Sequence, residues 1–180
     1  LIKRAYDVVC EKNPALVEEG RAEDVARKVA VAALVFNDLK NARIKDVVYN
    51  EARMLSFEGD TGPYLQYAHT RICGILRRWG KELPQKFEAE SIISDEEWRL
   101  VKLCGDFVRV VGEAARQFEP SIIAQFLLDV AAAFNLFYQR HRVLGAPTPI
   151  QNARLLLCAA TKSVLANGLK LLGVEPLERM

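Results

Sequence analysis

The stretch SIIAQFLLDVAAAFNLFYQR, residues 121–140, is apolar on nearly every side of the helix that its composition predicts. A helix on the surface of a protein has one apolar face, whereas a helix that is apolar all round is surrounded by other elements. Pro120 marks the start of the stretch, because proline suits the first turn of a helix. The stretch therefore predicts the central helix of an all-α bundle.

The flanking segments predict helices that surround this centre. GAPTP, residues 145–149, breaks the helical pattern, and a last helix follows over about 150–172. Before the centre, Ser94 and Glu97 have the spacing of a capping box, at the start of a helix that reaches about Phe118. The residues of that helix predicted to face inward are Trp98, Val101, Cys104, Val108, Val111 and Ala115.

The N-terminal part also has helical periodicity, over about 2–12 and 22–39. Residues 41–62 then mix β-branched and turn residues. We predict a connector there, with one short extended piece, and place the domain boundary within it. The chain is accordingly divided into residues 1–56 and residues 57–180, the latter forming the helical bundle.

Composition predicts a soluble globular protein. The chain has 180 residues, of which 51% are hydrophobic and 27% charged, enough to bury a core. Its longest uninterrupted apolar run, VAVAALVF at 29–36, is shorter than the roughly 20 residues of a membrane span, so no membrane partner is expected. The cysteines stand far apart without a C-x-x-C pair, which predicts reduced thiols and a cytoplasmic location: Cys10, Cys73, Cys104 and Cys158.

Basic residues gather in one part of the chain. The net charge of +2 is too small by itself to indicate a nucleic-acid binder. From Phe134 to Met180, however, six lysines and arginines stand against two glutamates. A second basic group surrounds the end of the helix predicted to begin at Pro63, at Arg71, Arg77, Arg78 and Lys81.

The helix that begins at Pro63, with Asp60 and Thr61 as capping candidates, carries two stripes. The first is the expected core face: Leu65, Ala68, Ile72, Ile75 and Trp79. The second stripe lies one position earlier, about 100° around the helix. It consists of Tyr64, Tyr67, Arg71, Gly74 and Arg78.

Aromatic rings beside guanidinium groups are typical of single-stranded RNA binding, because unstacked bases lie on the rings while arginines contact phosphates and sugars. On periodicity alone, the alternative stays open that the tyrosines flank the core and the arginines are solvated.

Catalytic and metal-binding residues are not expected. His69 and His141 lack partners at recognisable spacing, and no glycine-rich phosphate loop occurs.

Three segments resemble the C-terminal part of arginyl-tRNA synthetases, the class I enzymes that join arginine to its tRNA. They are MLSFEGDTGPYLQYAHTRICGILRR at 54–78, AAAFNLFYQRHRVL at 131–144 and NARLLLCAATKSVLANGLKLLGVEPLERM at 152–180. The segment VARKVAVAALVFNDLKNARIKDVVYN, residues 25–50, is similar to the family's link between the catalytic and anticodon-binding domains. The resemblance implies that residues 1–56 are the end of the catalytic region with the connector, and that 57–180 form a DALR-type anticodon-binding bundle. The four residues D-A-L-R that give this domain its name are not present, because the aligned residues 159–162 read AATK.

The resemblance also implies a fragment. The HIGH-type and KMSKS-type motifs that bind ATP in class I synthetases are missing, and the chain opens about where the family's sequence has just passed the second of them. We expect the chain alone to be inactive and to hold no cofactor, with ATP and Mg²⁺ serving the full-length enzyme. Its expected partners are arginine tRNA and, through the missing catalytic domain, arginine and ATP; a monomer is expected.

Carried over residue by residue, the family's anticodon site falls on Tyr64, Tyr67, Phe134 and Met180. The tyrosines would stack on anticodon-loop bases, and Met180 would supply apolar contact and its carboxylate as an acceptor. For Phe134 the alternative is a core role. Arg71, Arg78 and Arg154 are predicted from charge and position to contact phosphates or sugars, the alternative being solvated surface or a salt bridge.

A second function class remains, a helical protein-interaction module descended from such a domain. A module of that kind would be free to lose the tyrosines and Met180. Because both are present, tRNA binding is the favoured interpretation.

Overall fold

The computed structural model describes every residue from Leu1 to Met180, and it contains helices and no strand. The all-α prediction is therefore confirmed. A single 3-10 turn spans Ala89–Ser91. The α-helices are α1 Ile2–Lys12, α2 Ala15–Glu18, α3 Ala22–Leu39, α4 Glu51–Met54, α5 Gly62–Trp79, α6 Asp95–Gln117, α7 Ser121–Arg140 and α8 Thr148–Leu171.

α7 is the centre of the bundle, as its sequence predicts. It packs against α3, α5, α6 and α8. The 20-residue helix contains an 18-residue segment with a mean hydropathy of 1.5, which would suit a membrane span. However, 56% of that segment is buried inside the protein. The fit to α8 is close, because a Cβ added at Gly168 would lie 2.5 Å from the Leu127 side chain. We therefore describe α7 as a core helix.

Helix starts follow the capping signals in the sequence. Thr61 Oγ1 accepts a hydrogen bond from the backbone N–H of Tyr64 at 3.1 Å, which makes Thr61 the cap of α5. Ser94 and Glu97 form the predicted capping box at α6. Gly62 lets α5 begin directly on α3, because a Cβ there would lie 2.3 Å from the carbonyl oxygen of Ala32.

The connector departs from its prediction. No strand forms in residues 41–50, and the short helix α4 follows, where Asn50 accepts a hydrogen bond from the backbone N–H of Arg53. An asparagine before a helix supplies the oxygen that the first free N–H groups need. The division at residue 56 stays a prediction.

The prediction of the inward face of α6 is correct only in part. The buried residues of α6 are Glu97, Leu100, Val110 and Ala114. Of the residues predicted to face inward, Val101, Cys104 and Val111 are half-buried against the main core, but Trp98 and Val108 are 44% and 80% exposed. The helix has two apolar stripes, and the one that contains Leu100 and Phe107 packs inward; Phe107 stacks on Phe126 at 6.1 Å between ring centroids. Periodicity alone could not choose between the two stripes.

Candidate functional site

The two stripes of α5 face in different directions. The core stripe is buried, with Leu65, Ala68 and Ile72 at 0% exposure. In the second stripe Tyr67 and Arg78 are exposed, and its other members are half-buried. The second stripe therefore forms part of the surface, next to the exposed end of α7.

Arg71 lies between two tyrosine rings. Its guanidinium carbon is 4.7 Å from the ring centroid of Tyr67 and 5.0 Å from that of Tyr138 on α7. Arg71 Nη1 donates a hydrogen bond to Asn135 Oδ1 at 2.7 Å, and Asn135 Nδ2 donates one to the Tyr64 hydroxyl at 2.9 Å. Two rings and one amide therefore hold this arginine and both α5 tyrosines in fixed positions relative to α7.

Two clefts meet at Tyr67, Arg71 and Met180, which line both of them. Their volumes are about 440 and about 530 Å³. Such volumes fall within the roughly 300–1,000 Å³ of typical small-ligand pockets. The smaller cleft is also lined by Arg77, Arg78, Arg179, Glu19 and Glu178, and the larger one by Phe57, Tyr64, Asn135, Gln139, Lys12 and Glu58.

Two buried polar residues of α5 hold the tail, residues 173–180. Gln66 Nε2 donates a hydrogen bond to the carbonyl oxygen of Glu175 at 2.8 Å. His69 Nδ1 lies 2.7 Å from the carbonyl oxygen of Leu177. Since a carbonyl oxygen only accepts, Nδ1 carries the proton. Burial lowers the pKa of His69, so the ring stays neutral at neutral pH.

The end of the tail is held from the other side of the cleft. Asn13 Nδ2, just after α1, donates a hydrogen bond to the main-chain oxygen of Met180 at 3.0 Å. Leu177 is buried among residues of α1 and α3, and Met180 packs against the same cluster. These contacts place Met180 beside Tyr67 as a wall of both clefts.

The smaller cleft has uncompensated positive charge. Arg179 pairs with Glu19 at 3.7 Å, and Glu178 pairs with Lys162 at 3.4 Å. Arg77 and Arg78 make no ion pair. Their guanidinium groups are therefore free to meet an anionic ligand.

Phe134 does not belong to this surface. Its exposure is 0%, and its ring lies 6.3 Å from that of Phe137 in the main core. A base cannot stack on an enclosed ring, so the prediction that Phe134 is a platform is wrong. The alternative of a core role agrees with the structure.

Arg154 is also removed from the site. It is 7% exposed, and its Nε donates a hydrogen bond to Glu97 Oε1 at 2.6 Å, while Nη1 donates to the carbonyl oxygen of Arg142 at 2.8 Å. Burial alone would raise the pKa of Glu97, but hydrogen bonds from Arg154, Ile93 and Ser94 outweigh it and hold that pKa below its ordinary value. Arg154 is thus in the salt bridge named as the alternative, out of reach of a phosphate.

Sequence reasoning missed Asn135, Tyr138 and Phe57. The ring of Phe57 meets that of Tyr67 edge-on, with centroids 6.1 Å apart. A signal for the α7 residues does exist, because Asn135, Tyr138 and Gln139 are polar positions at steps of three and four on an otherwise apolar helix.

Comparison with known proteins gives one consistent family. The sequence profile of the DALR anticodon binding domain matches residues 65–180. The chain is 38% identical over 180 residues to an arginine–tRNA ligase of Clostridium botulinum and 41% identical over 179 residues to one of Streptococcus thermophilus. Each alignment covers 99% of this chain and 31% of the relative, so the chain spans about a third of the length of the relatives that it matches.

A solved structure has the same fold. The arginyl-tRNA synthetase of Thermus thermophilus superimposes with a TM-score of 0.91 at 38% sequence identity. The superposition covers 99% of this chain and 31% of that one.

Proposed function

Because the chain belongs to the family of DALR anticodon binding domains, we propose that it binds the anticodon loop of arginine tRNA as part of an arginine–tRNA ligase. The observation that carries the proposal is the exposed ring of Tyr67 and the adjoining guanidinium of Arg71, placed where two clefts meet. Loops of RNA present unstacked bases and phosphates, which rings and arginines bind respectively.

The roles divide by exposure. Tyr67 is the stacking platform, and the half-buried Tyr64 supplies an apolar wall with its hydroxyl already bound to Asn135. Arg71 and Arg78 meet phosphates or sugars, since no carboxylate neutralises either. Met180 supplies apolar contact to a base that enters either cleft.

The chemistry of aminoacylation is proposed for the intact protein. Holding the anticodon loop would orient the tRNA so that its acceptor end reaches a catalytic domain, where arginine and ATP bind with Mg²⁺. In this chain no group of three or more His, Cys, Asp or Glu side chains could hold a metal ion. We assign arginine activation to the catalytic domain of the intact protein, and no step of it to these residues. A cytoplasmic monomer is the proposed working state.

The test compares two RNA hairpins of identical stem. One carries the arginine anticodon loop and the other a scrambled loop, and affinity is measured by fluorescence anisotropy at several salt concentrations. We expect tighter binding of the cognate loop and a fall of affinity with salt, because phosphate contacts release counterions. Equal affinity for the two loops would contradict base readout at this site.

A further inference from the structure

α6 carries an exposed apolar stripe along its length, which we call the α6 seam. The buried face of α6 packs against α7 and α8. Within this chain, Val101 of the seam is half-buried against the main core and Gly112 is half-buried, whereas the other members of the seam are exposed. Val108 in the middle of the seam is 80% exposed, and Trp98 at its start is 44% exposed. Alternating steps of three and four are the heptad pattern of a helix that pairs with another helix. The seam consists of Trp98, Val101, Gly105, Val108, Gly112 and Ala115.

The fold of this chain does not require the two glycines of the seam. A Cβ at Gly105 would meet nothing within 4 Å, and one at Gly112 would meet only the end of the Arg116 side chain at 3.5 Å. Neither glycine has a positive φ. Glycine inside an exposed helix lowers its stability relative to alanine. Two such glycines seven residues apart on one face form notches that the side chains of a second helix can enter.

The charges beside the seam indicate what that helix looks like. Lys102, Arg109 and Arg116 follow one edge of the seam at steps of seven. Arg109 also meets Asp106 at 3.1 Å and Glu113 at 3.4 Å on its own helix, and such exposed pairs exchange partners readily. A complementary helix would therefore carry acidic residues opposite this basic edge.

A second copy of the chain fits poorly. In an antiparallel pair the basic edge of one seam faces the basic edge of the other, and like charges across an interface oppose association. In a parallel pair the basic edge would face Cys104 and Val111, which are half-buried against the bundle. The seam is therefore not complementary to itself, in agreement with the proposed monomer.

We propose that the α6 seam is a docking site for an amphipathic helix of another protein. That helix carries large apolar residues opposite Gly105 and Gly112, and Glu or Asp opposite Lys102, Arg109 and Arg116. The two RNA clefts are lined by residues of α5, α7, the tail and the N-terminal segments and by none of α6, so both surfaces can be occupied together.

Two synthetic peptides on the intact protein test the proposal. Both are amphipathic helices of equal length with leucines at the positions that face the seam; one has Glu at the edge positions and the other Lys. We expect the Glu peptide to bind about tenfold more tightly or better, with a difference that shrinks at high salt. Equal affinity of the two peptides, or binding of neither, overturns the proposal.

Variants of the protein assign the binding to the seam. Val108→Glu should abolish binding of the Glu peptide without moving the unfolding midpoint or the RNA affinity, because the side chain is already exposed. Exchange of Lys102, Arg109 and Arg116 for Glu should reverse the preference toward the Lys peptide. The matched control is Arg99→Glu, an exposed charge about 100° around the helix from Trp98, which should leave the preference unchanged. An unreversed preference in the triple variant overturns the proposal as well.

Discussion

Two arginines hold different parts of the bundle together. Arg71 lies at the surface between the rings of Tyr67 and Tyr138, with the neutral amide of Asn135 as its acceptor. Arg154 lies inside, with the carboxylate of Glu97 as its acceptor. The residue type is the same, and both side chains are tightly held.

The acceptor decides what each arginine can do. Glu97 neutralises Arg154, and the resulting ion pair stands at the junction of α6 and α8 as a structural contact. An amide and two rings fix Arg71 without cancelling its charge, which is what the proposed contact with a phosphate requires. The comparison shows that the charge of the acceptor, rather than the number of contacts, separates a candidate binding arginine from a structural one.

The largest effect is expected from Arg154→Ala. Removal of the guanidinium leaves the carboxylate of Glu97, which is 0% exposed, without its counter-charge and with only the hydrogen bonds from Ile93 and Ser94. Such a loss costs about 3–5 kcal/mol of unfolding free energy. Denaturant unfolding measures it, and the RNA affinity of the folded fraction should stay unchanged. If Arg154→Ala lowers the RNA affinity and leaves the stability unchanged, this assignment is contradicted and Arg154 contacts RNA.

Tyr67→Ala tests the surface region. We expect it to weaken RNA binding by about 1–3 kcal/mol through lost stacking, while the unfolding midpoint hardly moves because the ring is 39% exposed. Ile72→Ala is the control, since this fully buried side chain should lower stability by about 2–5 kcal/mol without a selective effect on RNA. If the two variants lower the unfolding midpoint equally and Tyr67→Ala still binds RNA normally, the second stripe of α5 only packs against the core.

Asn135→Asp would give Arg71 the kind of acceptor that Arg154 has. The new carboxylate compensates the guanidinium, and we expect RNA binding to weaken by about 1 kcal/mol and its salt slope to fall by about one. The control Asn135→Ala removes the amide without adding charge. If the salt slope is the same in wild type and Asn135→Asp, Arg71 does not contact a phosphate.

The smallest effect concerns Glu96, next to the buried pair. Hydrogen bonding from His141 in the first place, and from Arg140, lowers the pKa of Glu96 from 4.5 to about 2. A lowered pKa in the folded state gives stability that is present above pH 4.5 and is lost as the pH falls toward 2. Glu96→Gln keeps an acceptor but cannot titrate, so its unfolding midpoint should fall less steeply over this range than that of the wild type. If the unfolding midpoints of the wild type and Glu96→Gln fall equally steeply with pH, the lowered pKa of Glu96 is contradicted.

The helices were predictable because their signals are local. The Ser94–Glu97 capping box, Thr61 before α5 and the breaks at Gly145–Pro149 each depend on residues a few positions apart. The position of the second stripe of α5 outside the core could also be predicted, because the first stripe on that helix is entirely apolar between Leu65 and Ile75.

The rest depends on contacts between distant parts of the chain. Phe134 and Asn135 are neighbours in sequence, yet one is enclosed and the other reaches Arg71, and only the packing of α7 against α5 separates them. Whether Arg154 is free or paired depends on Glu97, which lies on another helix. On α6 two apolar stripes compete, and the choice depends on which one fits against α7 and α8.

The hydrogen bonds that hold the tail tie one wall of the clefts to distant parts of the chain. They join residues separated by 109, 108 and 167 positions, from Gln66 to Glu175, His69 to Leu177 and Asn13 to Met180. A molecule whose tail came loose would lose Met180 as a wall of both clefts. If RNA binds against Met180 as proposed, occupancy of the clefts and closure of the tail would favour one another.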